Sequence, residues 1–150
     1  MSEFSSRLIV RPLDKEELVK LKWSLGWELQ NSFSYDLGKR GGGDKIRLPA
    51  GLRSNGASVP RWLWWLIHPC DPDIGKAAWI HDYLYGLQQY SKIYCDAVLC
   101  DGMITLKSSA WKARLCFDAV HYFGYSAWKY CQVVTRKANP ECQLPYPVMV

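Results

Sequence analysis

Ala77-Ala78-Trp79-Ile80-His81-Asp82-Tyr83-Leu84-Tyr85-Gly86 sets an imidazole and a carboxylate side by side inside an apolar helical pattern. At about 100° per residue, Ile74, Ala78, His81 and Tyr85 share one face, with Ala77 and Leu84 flanking it. The pattern predicts a buried helix, with His81 pointing into its packing and Asp82 about a quarter-turn round. A buried ring nitrogen left without a partner costs roughly 1–3 kcal/mol, so His81 needs one nearby. The next helix, opened by Ser91-Lys92-Ile93-Tyr94-Cys95-Asp96, supplies the best candidate. There Asp96 lies at the edge of the stripe Ile93, Ala97, Cys100 and Ile104, beside Met103. The expectation is a His81–Asp96 pair between two helices. At the floor of an open cleft such a pair would point to chemistry; sealed under aromatic rings, it would point to a scaffold.

Working outward, helices are expected at about residues 73–89, 91–106 and 109–131, the last patterned by Ala113, Phe117, Val120, Gly124, Ala127 and Cys131. Gly124 and Ala127 leave room there for a neighbouring helix. Upstream, Arg61 to His68 carries Trp62, Leu63, Trp64, Trp65, Leu66 and Ile67 and reads as a helix apolar all round, either buried or pressed against a partner or membrane surface. Before it the periodicity changes. Arg7–Arg11 reads as a strand ended by Pro12, and Asp14 caps a helix from Lys15 to Lys22. Residues 23–37 alternate as strands with a bend near Asn31-Ser32, residues 39–44 form an exposed turn, and Lys45–Leu48 returns as a strand stopped by Pro49. The result is one α+β domain over residues 1–150: an N-terminal meander of short antiparallel strands followed by a three- to four-helix subdomain. Residues 1–50 are mainly β, 58–135 mainly α, and 138–150 an extended Pro-rich tail.

Composition narrows the function. The net charge of +5, from 19 basic and 14 acidic side chains, is dispersed along helices and argues against a nucleic-acid binder. No basic-then-apolar leader opens the chain, and its longest apolar run, Trp62 to Ile67, falls far short of the roughly 20 residues a membrane span needs. Aromatic residues make up 14%, enough for a ring-filled core and for surface anchors such as Trp62, Trp64 and Trp65 on a membrane surface. The six cysteines show no metal-ligand spacing; Cys100 and Cys116 read as small core residues.

Two motifs carry a resemblance. Leu48-Pro49-Ala50-Gly51-Leu52 through Ala57-Ser58-Val59-Pro60-Arg61, and Ala77 to Tyr85 with Asp96 beyond it, resemble a family of small phage and bacterial proteins of unknown function. With the final helix ending in Phe123-Gly124, the resemblance covers roughly residues 25–125. It implies a phage particle, tail or baseplate, or the cytoplasm of an infected bacterium as location. Other phage proteins or self-assembly are the implied partners, and Asn55, Ser58 and Arg61 become motif positions of interest. The family's first motif has an acid where this chain has Asn55, which would weaken any hard-cation site there.

His81-Asp82-Tyr83-Leu84-Tyr85 is also similar to the His-Asp-x-x-Tyr helix of the secreted phospholipases A of the type-two class. That similarity implies His81 as general base, Asp96 holding its tautomer, Tyr85 donating a hydrogen bond to Asp96, and Asp82 binding calcium. Residues 68–75 carry carboxylates but not the glycine-rich calcium loop that scheme expects. Two readings follow. One is a small metal-assisted hydrolase of an ester or lipid-like substrate; the other is a non-catalytic virion component in which the His–Asp pair is structural.

Overall fold

The computed structural model describes residues 2–38, 44–55, 61–65 and 74–138, with side chains to residue 131. Short strands come first. β1 (Glu3–Phe4), β4 (Phe33–Asp36) and β5 (Lys45–Leu48) form one antiparallel sheet in the order β1-β4-β5. β2 (Val10–Pro12), β3 (Trp27–Leu29) and β6 (Arg53–Ser54) form a second, in the order β2-β3-β6. Period-two patterning explains the inward faces: Ile46 and Leu48 are buried while Lys45 and Arg47 point out. Pro12 ends β2 on an edge strand, where a missing N–H costs nothing in the ladder. Between β2 and β3, α1 (Lys15–Leu21) starts on a capping box, with Asp14 accepting from Glu17 N–H and Glu17 accepting from Asp14 N–H.

Four helices follow: α2 (Gly75–Leu87), α3 (Lys92–Thr105), α4 (Ala110–Phe123) and α5 (Tyr125–Ala138). The expected α+β order therefore holds. The continuous helix expected over 109–131 is instead broken at Gly124. A Cβ on Gly124 would stand 2.3 Å from the Val120 carbonyl oxygen and 3.1 Å from the Tyr85 hydroxyl. Only the missing side chain lets α2 approach while α4 ends and α5 begins.

α2 is the element around which the rest packs. Trp79, Ile80, Leu84 and Tyr85 join the sheet residues Leu29, Phe33, Tyr35 and Leu48 in one core. Ala77 and Ala78 join Leu99, Met103, Ala113 and Val120 in another. Small residues set the α2–α3 spacing, since a Cβ on Gly102 would lie 3.0 Å from that of Ala77. On α3 the expected stripe is displaced: Ile93, Ala97 and Ile104 are exposed, and the buried positions include Cys95, Asp96, Leu99 and Met103. Packing against α2 on one side and α4 on the other selects that face, which a single apolar stripe does not reveal.

The Trp-rich segment also departs from expectation. Arg61–Leu63 is a single 3-10 turn rather than the start of an α-helix. Leu63 is buried and Trp64 packs on Trp27 at 5.7 Å between ring centroids. Trp62 and Trp65 stay 53% and 76% exposed, so this segment both fills the core and presents rings outward. Of the cysteines, Cys95 and Cys116 are buried and Cys100 and Cys131 half-buried, all as free thiols. Residues 39–43 of the expected 39–44 turn, Gly56 of the Asn55-Gly56 turn, Ser58, residues 66–68 of the Trp-rich segment, Cys70, Cys142 and the tail lie outside the described residues.

Candidate active site

α2 and α3 bring His81 and Asp96 together, with His81 Nε2 at 2.9 Å from Asp96 Oδ1 and both side chains fully buried. One turn along α2, the Tyr85 hydroxyl donates to the same oxygen at 2.7 Å. The other carboxylate oxygen accepts from Lys92 Nζ at 2.7 Å, four residues back on α3. Lys92 also donates to the carbonyls of Val120 (2.8 Å) and His121 (3.0 Å), so it caps the C-terminal end of α4. His121 completes the ring of groups, its Nδ1 lying 3.6 Å from Asp96 Oδ2. Asp96 thus ties three helices together.

Electrostatics sets the protonation of this cluster. Burial lifts the Asp96 carboxyl, but bonds from His81, Lys92 and Tyr85 outweigh it and hold Asp96 below the usual carboxylate range. An ionised carboxylate only accepts, so His81 Nε2 carries the hydrogen and donates it to Asp96. In the neutral ring the lone pair then sits on Nδ1, which has no hydrogen-bond partner among the described residues. Burial, together with the Asp96 charge, pushes the Tyr85 hydroxyl far above the ordinary phenol value, so it remains a donor.

Asp82 lies on a different side of α2. Its Oδ2 accepts from the Ser54 hydroxyl of β6, while Oδ1 is shielded from solvent and has no partner among the described residues. Burial raises the Asp82 carboxyl to about 6, against the opposing pull of the Ser54 bond and the His81 ring. Asp82 and Ser54, joined by their hydrogen bond, and the neighbouring Asn55 line a cavity of about 430 Å³, whose walls include Trp23, Leu52, Leu87 and Tyr130. Tyr85 reaches this cavity too. Asp82 and Tyr85 both lie on the C-terminal side of His81 along α2, and His81 itself is not among the lining residues.

The expected residues divide accordingly. His81, Asp96 and Tyr85 meet in one buried cluster; Asp82 and Asn55 meet at the cavity. Arg61 belongs to neither, since it donates to Ser24 Oγ at 2.9 Å and lies over the Trp64 ring at 5.5 Å. Three participants were missed, His121, on α4, among them. Lys92 had a sequence signal in its i, i+4 spacing to Asp96. Ser54 had none, because its role depends on β6 lying against α2.

No curated protein and no solved structure shows a significant match to this chain. The protein-family comparison does: the model for the proteins of unknown function DUF1353 matches residues 27–120. That span takes in β3 to β6, all of α2 and α3 and nearly all of α4, and with it His81, Asp82, Tyr85 and Asp96. The chain belongs to the DUF1353 family.

Proposed function

We propose that this is a small phage-type hydrolase acting on an ester or similar carbonyl, with His81 as general base. The observation that carries the reading is the one-sided grip on His81, held through Nε2 while the Nδ1 lone pair has no partner among the described residues. A histidine serving only the core ordinarily satisfies both nitrogens. The scheme requires an opening that admits water and substrate to Nδ1, which is shielded from solvent in this structure; there Nδ1 would take a proton from a water whose oxygen attacks the carbonyl carbon. Asp96 keeps the Nε2 hydrogen in place and stabilises the imidazolium that forms. The proton then passes to the departing alkoxide oxygen, releasing acid and alcohol.

Asp82, Ser54 and Asn55 are hard oxygen donors suited in kind to a divalent cation such as calcium, with Asp82 Oδ1, which has no partner among the described residues, as the leading ligand. Among the described residues no three His, Cys, Asp or Glu side chains gather into a metal cluster, so further ligands would be neutral oxygens. Such a cation, when bound, supplies a Lewis acid for the carbonyl oxygen. Calorimetric titration with calcium tests this ligation; equal binding by the wild type and Asp82→Asn, or none by either, overturns it.

Complete burial of the His81–Asp96 pair favours a second reading, a non-catalytic phage-particle component with the pair as a structural clasp. The exposed Trp62 and Trp65 would then serve contacts with other phage proteins or a membrane surface. One experiment separates the two: hydrolysis of a series of p-nitrophenyl esters by the wild type and His81→Ala, with calcium and with chelator. The hydrolase reading expects wild-type turnover and a loss of about 10²–10⁴-fold in His81→Ala, typical of a removed general base. Thermal unfolding confirms that the variant is folded. No turnover by the wild type, or equal turnover by the variant, leaves only the clasp.

A further inference from the structure

We propose that the cavity beside Asp82 is an acyl-binding subsite that selects an uncharged apolar acyl group, with its carbonyl end at Ser54, Asn55 and Asp82. The assignment rests on the hydrolase reading for the word acyl; the binding itself does not depend on turnover. Among its lining residues Ser54 is bonded to Asp82 and adjoins Asn55, which gathers two short polar side chains and a carboxylate together. The remaining walls combine Leu52, Leu87 and Ala127 with the rings of Trp23 and Tyr130. An apolar pocket with a few convergent polar groups is the usual form of a small-molecule site. Its asymmetry fixes which way a ligand lies, hydrocarbon against the walls and polar atoms toward β6.

Charge decides the class. Arg53 is the cation among the described lining residues, and its guanidinium is already engaged, with Glu28 at 2.8 Å and Glu17 at 2.8 Å. A ligand carboxylate would therefore meet Asp82 with no free counter-charge among those residues. Size follows from the volume: at roughly 30 Å³ per heavy atom, the share water takes in the liquid, 430 Å³ holds about fourteen atoms. A chain of about ten carbons with its carbonyl group fits that space. Asp82, next to His81 on α2, and Tyr85, one turn further on, place the site beside the fully buried His81–Asp96 pair.

Straight-chain primary amides from butanamide to dodecanamide are neutral and resist hydrolysis, so they probe binding without turnover. Affinity measured by calorimetry is expected to rise about fourfold per methylene, the value of one buried CH₂, and to level off near ten carbons. Decanoate at pH 8 is expected to bind at least tenfold more weakly than decanamide. Ala127→Trp, which fills the cavity, is expected to abolish binding; Tyr130→Ala, at an exposed wall residue, is expected to weaken it several-fold while circular dichroism stays unchanged. The proposal is overturned by the absence of amide binding, by binding that both variants leave intact, or by decylammonium binding tenfold tighter than the amide, which would make this a cation site. Amide binding in a protein that hydrolyses no ester would sink the hydrolase reading and leave an apolar-amide site standing. Ester turnover indifferent to chain length would sink the subsite alone.

Discussion

Asp96→Ala is expected to lower the unfolding free energy by about 3–5 kcal/mol, the range for removing one partner from a buried charge network. The carboxylate accepts from His81, Tyr85 and Lys92, and it is fully buried. Truncation leaves the Tyr85 hydroxyl and His81 Nε2 without their acceptor in a place water does not reach. Lys92 suffers less, because it is partly exposed and keeps the Val120 and His121 carbonyls. Asp96→Asn keeps an acceptor oxygen for the α2 donors but turns an amide NH2 toward Lys92 Nζ in place of the accepting Oδ2, so its cost is expected to be smaller, about 1–3 kcal/mol. Urea unfolding of the three proteins at pH 7 measures both. The pH dependence has a definite sign. Asp96 is depressed in the folded protein, so its contribution is complete above the unfolded value of about 4 and fades as pH falls through the folded one. The gap between wild type and Asp96→Ala should therefore narrow in acid. A loss under about 1 kcal/mol at pH 7 would mean the three helices are held by apolar packing alone.

Much of that network could be read along the chain because it is local. His81 and Tyr85 are one turn apart on α2, and Asp96 is on the next helix, so helical spacing together with the cost of an unpaired ring nitrogen joins them. The partner was right although the stripe was wrong: Ile93 and Ile104, both apolar, face outward, and Asp96 with Cys95 and Leu99 faces in. Hydrophobicity misleads on α3 because the helix is pressed between α2 and α4, and close packing there selects small side chains such as Gly102 over large ones. The break at Gly124 was hidden for a related reason. The apolar pattern runs straight through it, and a side chain there is forbidden by the Val120 carbonyl oxygen first and by the approach of the Tyr85 hydroxyl second. The cavity was beyond sequence altogether, since its walls come from the segment before β3, from β6, from the end of α2 and from α5. Long-range contacts of that kind leave no periodic trace.

The second large effect is expected at Asp82, where Asp82→Asn should stabilise the protein at pH 8 and change little at pH 4. Burial lifts this carboxyl to about 6 in the folded chain, against about 4 unfolded. Between those values the folded state keeps a proton that the unfolded state has released. Stability therefore falls as pH rises through this window and stays lower above it. Two pH units correspond to about 3 kcal/mol, which the amide would recover by having no charge to bury. The Ser54 hydroxyl, which donates to Oδ2, can donate equally to the amide oxygen, so the bond between β6 and α2 survives the change. Chemical unfolding from pH 4 to pH 8 in chelator measures the slope; parallel curves for wild type and variant would show that ionising Asp82 is not costly. Calcium adds a sign that apolar packing cannot imitate. A cation on Oδ1 favours the ionised form, so the wild type should regain stability at pH 8 in calcium while the variant does not. Stability regained in calcium by the wild type alone would mark Asp82 as placed for ligation rather than for holding β6 to α2.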